Sequence, residues 1–220
     1  MPALTPEEGT GLELAKTRIL AVLVIDDPEA AVPLAEALLA GGVGAMELTL
    51  RTPAAVEAIG RIASALPEMR VGAGTVLTSE QITSVKEAGA AFAVSPGINP
   101  EILDAAERAD LPFGPGIMTP TDIDLATRKG ARLLKFFPAT SAGGLDHLHN
   151  IAAPFSHLGV KFIPLGGIRL ENMNEWLNDP LIAAVGGSWL APRSAIQERD
   201  WKRIERNARE ASQILNELAP

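Results

Sequence analysis

The feature that most constrains this 220-residue chain is a strict alternation of short apolar runs with Ala-rich stretches of helical composition. The runs read as strands at Ile19–Ile25, Gly44–Leu50, Arg70–Gly74, Ala91–Ser95, Pro112–Gly114, Arg132–Phe137, Lys161–Leu165 and Leu181–Gly186. Successive starts lie roughly 20–29 residues apart, the length of one strand–loop–helix unit. Such alternation implies a parallel sheet, either open and doubly wound or closed on itself. Eight units in a chain near the minimum length for closure favour a (β/α)8 barrel. An open dinucleotide-binding fold would carry Gly-x-Gly-x-x-Gly after its first strand, and this chain does not. The expected fold class is therefore α/β, a single TIM-barrel domain over residues 1–220, with an extra N-terminal helix at Pro6–Thr17.

Helix punctuation agrees with this reading. Thr78-Ser79-Glu80-Gln81 has the form of a capping box, and Gly89 sits where that helix should stop. Asn99-Pro100 and Thr119-Pro120 each place a cap residue before a Pro at the first helical position, and Gly130 ends the second of these helices. Pro33 conflicts with a helix starting at Asp27-Pro28, because its ring would clash with the preceding turn, so that helix should begin nearer Ala31.

Composition removes several classes of function. No apolar run approaches the roughly 20 residues that cross a bilayer, and Met1–Lys16 lacks the apolar core of a secretory signal. The chain has no cysteine, which excludes disulfides, thiolate metal sites and thiol nucleophiles and fits a reducing, cytoplasmic setting. A net charge of −8 without a basic stripe disfavours nucleic acid. His147, His149 and His157 offer no metal-ligand spacing with a carboxylate cluster and read as surface or structural residues, so neither a metal nor a cofactor is expected.

In a barrel the chemistry lies at the C-terminal ends of the strands. On the second strand Glu47, Thr49 and Arg51 share one face if Met46, Leu48 and Leu50 pack outward. Charges inside a barrel are costly unless they pair or meet a ligand. Lys135 shares its face with Leu133 and Phe137. Desolvation of a buried amine disfavours its ammonium form, and a neutral lysine amine can form a Schiff base with a carbonyl substrate. A structural ion pair with Glu47 accounts for the same two residues. Gly166-Gly167 and Gly186-Gly187-Ser188 follow the seventh and eighth strands, where barrels often bind phosphate with the help of a short helix N-terminus. Thr75 and Pro96 close the third and fourth strands, and Ser95-Pro96-Gly97 is equally compatible with an ordinary turn.

Six segments, in order across roughly residues 15–212, resemble one family. These are Glu-Leu-Thr-Leu-Arg-Thr at 47–52, Val-Gly-Ala-Gly-Thr-Val-Leu at 71–77, Ser-Pro-Gly at 95–97, Lys-Phe-Phe-Pro-Ala at 135–139, Gly-Gly-Ile at 166–168 and Gly-Gly-Ser-Trp-Leu at 186–190. They are similar to the bacterial 2-keto-3-deoxy-6-phosphogluconate (KDPG) aldolases, a family also named for 4-hydroxy-2-oxoglutarate (KHG) aldolase activity. The resemblance implies a metal-free class I aldolase on a (β/α)8 barrel, acting on a phosphorylated keto acid and commonly assembled as a homotrimer. It implies Lys135 as the Schiff-base lysine and Glu47 as general acid and base. It further implies that Arg51 and Thr75 hold the pyruvate carboxylate, that Pro96 and Phe137 line the pocket, and that Gly166, Gly167, Gly187 and Ser188 hold the phosphate.

Leu165 departs from the pattern, since many gluconate-type members carry Thr just before the seventh-strand Gly-Gly. A Thr could hydrogen-bond a substrate hydroxyl and a Leu cannot, which leaves open the galactonate-series epimer and the unphosphorylated KHG as substrates. Another phosphate-binding barrel enzyme would share the glycine pairs but would not need Lys135. A catalytically silent barrel would need none of Glu47, Arg51 and Lys135, and a metal-dependent pyruvate aldolase would be sensitive to chelation.

Overall fold

The structure, a computed structural model, describes residues 17–218. Apart from Thr17, the helix expected at Pro6–Thr17 lies outside them. The remainder alternates strand and helix. The strands are β1 (Ile19–Leu23), β2 (Ala45–Thr49), β3 (Arg70–Gly74), β4 (Ala93–Val94), β5 (Phe113–Gly114), β6 (Gly116–Ile117), β7 (Leu133–Phe136), β8 (Lys161–Pro164) and β9 (Val185–Gly187). The principal helices are α1 (Ala31–Ala40), α2 (Ala55–Ala65), α3 (Ser79–Glu87), α4 (Pro100–Arg108), α5 (Pro120–Arg128), α6 (Gly144–Ala152), α7 (Met173–Leu177), α8 (Arg193–Gln197) and α9 (Trp201–Glu217).

The helices start where their caps direct. Thr78 and Gln81, and likewise Thr119 and Asp122, exchange the two hydrogen bonds of a capping box. The Asn99 side chain accepts from the Glu101 N–H, with Pro100 opening the helix. Pro33 is third in α1, where its missing N–H has no intrahelical partner to lose. Asp27-Pro28 instead opens a separate 3-10 turn, Pro28–Ala30.

All strand pairs are parallel. A curled six-stranded sheet runs in the order β5-β4-β3-β2-β1-β9, and a three-stranded sheet runs β6-β7-β8. The fifth strand is longer than the expected Pro112–Gly114. It continues past Pro115 and changes partner there, from β4 to β7. Pro115 has no N–H to give a ladder, while its carbonyl accepts from the Lys135 N–H at 3.0 Å. At the other edge, Phe162 of β8 forms a parallel bridge with Ile182, ahead of β9. The last strand itself begins at Val185 rather than Leu181, and β4 is confined to Ala93–Val94 within the expected Ala91–Ser95.

Side-chain alternation divides the interior into two layers. Leu20, Ala45, Phe92, Val94, Leu133, Ile163 and Leu165, drawn from both sheets, pack into one inner cluster. Met46, Leu48, Leu134 and Phe136 face the other way and join the larger core beneath the helices. Beyond β1, Asp26 accepts from Arg193 Nε at 2.8 Å and from Gln197 at 2.9 Å, which ties this loop to α8.

Candidate active site

Glu47 is the middle residue of β2, and its side chain points into the inner layer, where it is fully buried. Lys135 projects from β7 into the same space, with 7% of its surface exposed. Lys135 Nζ donates to Glu47 Oε1 at 3.2 Å. Two charges this deep tolerate each other only because they are paired; removing one strands the other in a poorly solvated site. The second carboxylate oxygen, Glu47 Oε2, is buried and hydrogen-bonds to no protein group. Lys135 Nζ also lies 5.5 Å from the centroid of the Phe137 ring, within cation–π range.

Gly74 of β3 explains how Glu47 fits. A Cβ at this position would overlap the Glu47 carboxylate, so the neighbouring strand must carry no side chain there. Thr75, the next residue, has φ +59°, a left-handed conformation unusual for a β-branched residue. Strained backbone of this kind persists where the surroundings over-determine it, often at functional sites.

Lys135, Glu47, Arg51, Thr75, Pro96, Phe137, Gly166, Gly167, Gly187 and Ser188 all border one cavity of about 330 Å3 at the C-terminal ends of the strands. The structure therefore brings together all ten residues to which the resemblance gives a role, while Gly186 of the second glycine pair does not border the cavity. Leu165 is there too, 3% exposed, beside Gly166. Val22, Thr49 and Ile168 complete the lining. Thr49 carried a signal, an inward-facing hydroxyl on β2, and Ile168 belonged to the Gly-Gly-Ile segment; Val22 carried none, because an apolar residue within a strand is the norm.

The distal wall is mostly backbone. Gly166 and Gly167 have φ +95° and +87°, a region that side chains strongly disfavour. Their loop is fixed from below: the Ala139 N–H donates to the Leu165 carbonyl at 2.8 Å and the Thr140 N–H to that of Gly166 at 3.0 Å. Ser188 is exposed and presents its hydroxyl beside Gly187. The short helix expected to open at this end does not do so, since Ser188 leads into a turn and α8 starts only at Arg193.

The histidines take other parts. His147 bonds to the Met118 carbonyl and stacks on Phe136, while His149 pairs with Asp179. Among the described residues no group of three or more His, Asp or Glu side chains could hold a metal ion. None of the described helices is long and apolar enough to cross a membrane.

Residues 12–207 match the family described as KDPG and KHG aldolase. The chain is 46% identical over 193 residues to the KHG/KDPG aldolase of Escherichia coli K12, covering 88% of this chain and 90% of that one. It is 47% identical to the 2-dehydro-3-deoxy-phosphogluconate aldolase of Dickeya dadantii, with the same coverage. Among solved structures it resembles the KDPG aldolase of Legionella pneumophila, in which pyruvate was captured as a covalent carbinolamine intermediate. The TM-score is 0.88 at 40% identity, covering 93% of this chain and 98% of that one.

Proposed function

The chain belongs to the KDPG and KHG aldolase family, and from that premise we propose how its own residues carry out a class I aldol cleavage. The substrate is KDPG, which is split into pyruvate and glyceraldehyde 3-phosphate. KHG, split into pyruvate and glyoxylate, is a second substrate. The observation that carries this reading is the buried Lys135–Glu47 pair at 3.2 Å, with one carboxylate oxygen free of protein partners.

The chemistry follows from those two groups. Lys135 Nζ attacks the C2 ketone to give a carbinolamine. Glu47 supplies the proton with which water leaves, and the iminium forms. Glu47, directly or through one water, then takes the C4 hydroxyl proton. The electrons of the C3–C4 bond move into the iminium, giving an enamine and releasing the aldehyde. Protonation of the enamine carbon and hydrolysis of the resulting iminium return pyruvate and free Lys135. Arg51 and Thr75 hold the substrate carboxylate, Pro96 and Phe137 flank the reacting carbons, and Gly166, Gly167, Gly187 and Ser188 receive the phosphate.

The two parallel sheets constitute one (β/α)8 barrel in a single aldolase domain over residues 1–220. In support, β5 and β6 are separated only by Pro115, and the Phe162–Ile182 bridge links β8 to the segment just ahead of the last strand. The phosphorylated substrate and product are compatible with a cytoplasmic location. The domain assembles as a homotrimer, a state that would cover the exposed apolar side chains Leu77, Met118 and Leu125.

Leu165 bears on substrate choice: it lines the cavity, and its apolar side chain offers a substrate hydroxyl no hydrogen bond where a Thr would. Measuring pyruvate release from KDPG, its C4 epimer and KHG tests the function. KDPG should be cleaved, with the epimer discriminated by about a hundredfold or less, since a hydrophobic wall rejects a hydroxyl only weakly. Release from none of the three would remove the aldolase assignment.

A further inference from the structure

The segment Glu47-Leu48-Thr49-Leu50-Arg51-Thr52 contains two threonines with no part in the chemistry above. Both are tied to the strand beside them. Thr49 ends β2 with only 1% of its surface exposed, and its hydroxyl donates to the Leu23 carbonyl at 3.1 Å. The Thr52 hydroxyl donates to the Ile25 carbonyl. Leu23 and Ile25 are two residues apart on the chain leaving β1. The hydroxyls on either side of Arg51 therefore staple its turn to alternate carbonyls of the neighbouring segment.

Thr49 does more than staple. A hydroxyl has one proton and two lone pairs. With its proton given to Leu23, Thr49 Oγ1 can only accept from other groups, and it accepts from Arg51 Nε at 3.2 Å. The Arg51 N–H also donates to the Thr49 carbonyl at 2.7 Å. The guanidinium of an otherwise exposed side chain is thus held at Nε, which leaves its two terminal nitrogens as the fork that binds a carboxylate end-on.

We propose that Thr49 is a positioning residue for Arg51: its buried hydroxyl, polarised by Leu23, aims the guanidinium at the carboxylate end of the substrate. This rests on the reading of Arg51 as the carboxylate ligand. Thr49→Val keeps the shape and removes the acceptor, whereas Thr49→Ser keeps the acceptor.

The test is the pyruvate concentration that half-saturates borohydride trapping of the Lys135 adduct, followed by mass spectrometry. Thr49→Val should raise it about tenfold, on the scale of one hydrogen bond to a charged group, and leave the trapping rate at saturating pyruvate unchanged. Thr49→Ser should match the wild type. Arg51→Gln should raise the half-saturation at least as far, and adding Thr49→Val to it should change nothing more. If Thr49→Val proves insoluble, Thr49→Ala carries the same expectation. A wild-type value in the Thr49 variants with a raised value in Arg51→Gln would overturn the inference alone. So would a Thr49→Val effect that persists in full in the Arg51→Gln background, because Thr49 would then act independently of Arg51. A wild-type value for Arg51→Gln would bring down the carboxylate reading, and the inference with it.

Discussion

Glu47 and Gly74 show how closely a single side chain and its neighbour's lack of one are matched. Burying a carboxylate beside an ammonium costs desolvation that good pairing only offsets, so the Glu47–Lys135 pair makes better sense as machinery than as reinforcement. Glu47→Gln retains the shape but cannot accept and return a proton. It should still bind pyruvate while turnover falls by about 10²–10⁴-fold, the usual range for a lost general acid–base group. Gly74→Ala should produce a comparable loss with Glu47 itself intact, because the new methyl would occupy the place of the carboxylate. Steady-state rates together with exchange of the pyruvate methyl protons check both variants: wild-type exchange in Glu47→Gln would show that Glu47 is not the base, and in Gly74→Ala that the carboxylate does not need the space Gly74 leaves. These charged positions were legible in the sequence because a Glu or a Lys on an otherwise apolar strand breaks the pattern. Gly74 was legible only as part of a glycine-rich strand end, since the reason for it lies on the neighbouring strand.

Elements differ in how much of them is local. The capping boxes at Thr78 and Thr119 are settled within four residues, and those helices begin where the sequence indicates. Strand limits depend on partners far along the chain. The change of partner at Pro115 and the late start of β9 at Val185 arise from pairing that no local pattern reveals. The link between the β1 loop and α8 is non-local in the same way. The Arg193 hydrogen bond holds the Asp26 carboxyl below its usual range, against the opposing effect of burial and with help from Gln197. A carboxyl lowered by folding adds stability above its unfolded value, about 3.9. That contribution is lost as pH falls through the lower folded value. The Tm of the wild type should therefore exceed that of Asp26→Asn between pH 5 and 7, with the gap closing as pH falls below about 3.9. Thermal melts across this range decide the matter, and a gap independent of pH would show that the ion pair contributes nothing to folding.

At the scale of the whole molecule, curled parallel sheets carry two sets of side chains, one beneath the helices and one facing inward. The Glu47–Lys135 pair belongs to the inward set. That layering was readable from the eight-fold alternation, whereas the hydrogen bonds joining the sheets at Pro115 and Phe162 were not. The homotrimer is what the family resemblance implies; sedimentation equilibrium should give three copies per particle, and a monomer would contradict it. The central claim is that Lys135 forms the Schiff base, and one measurement addresses it directly. The protein is incubated with pyruvate, reduced with borohydride, digested and mapped by mass spectrometry. The account predicts one reduced pyruvate adduct, on Lys135, absent from Lys135→Ala. An adduct on a different lysine, or aldol cleavage at the wild-type rate by Lys135→Ala, would contradict it.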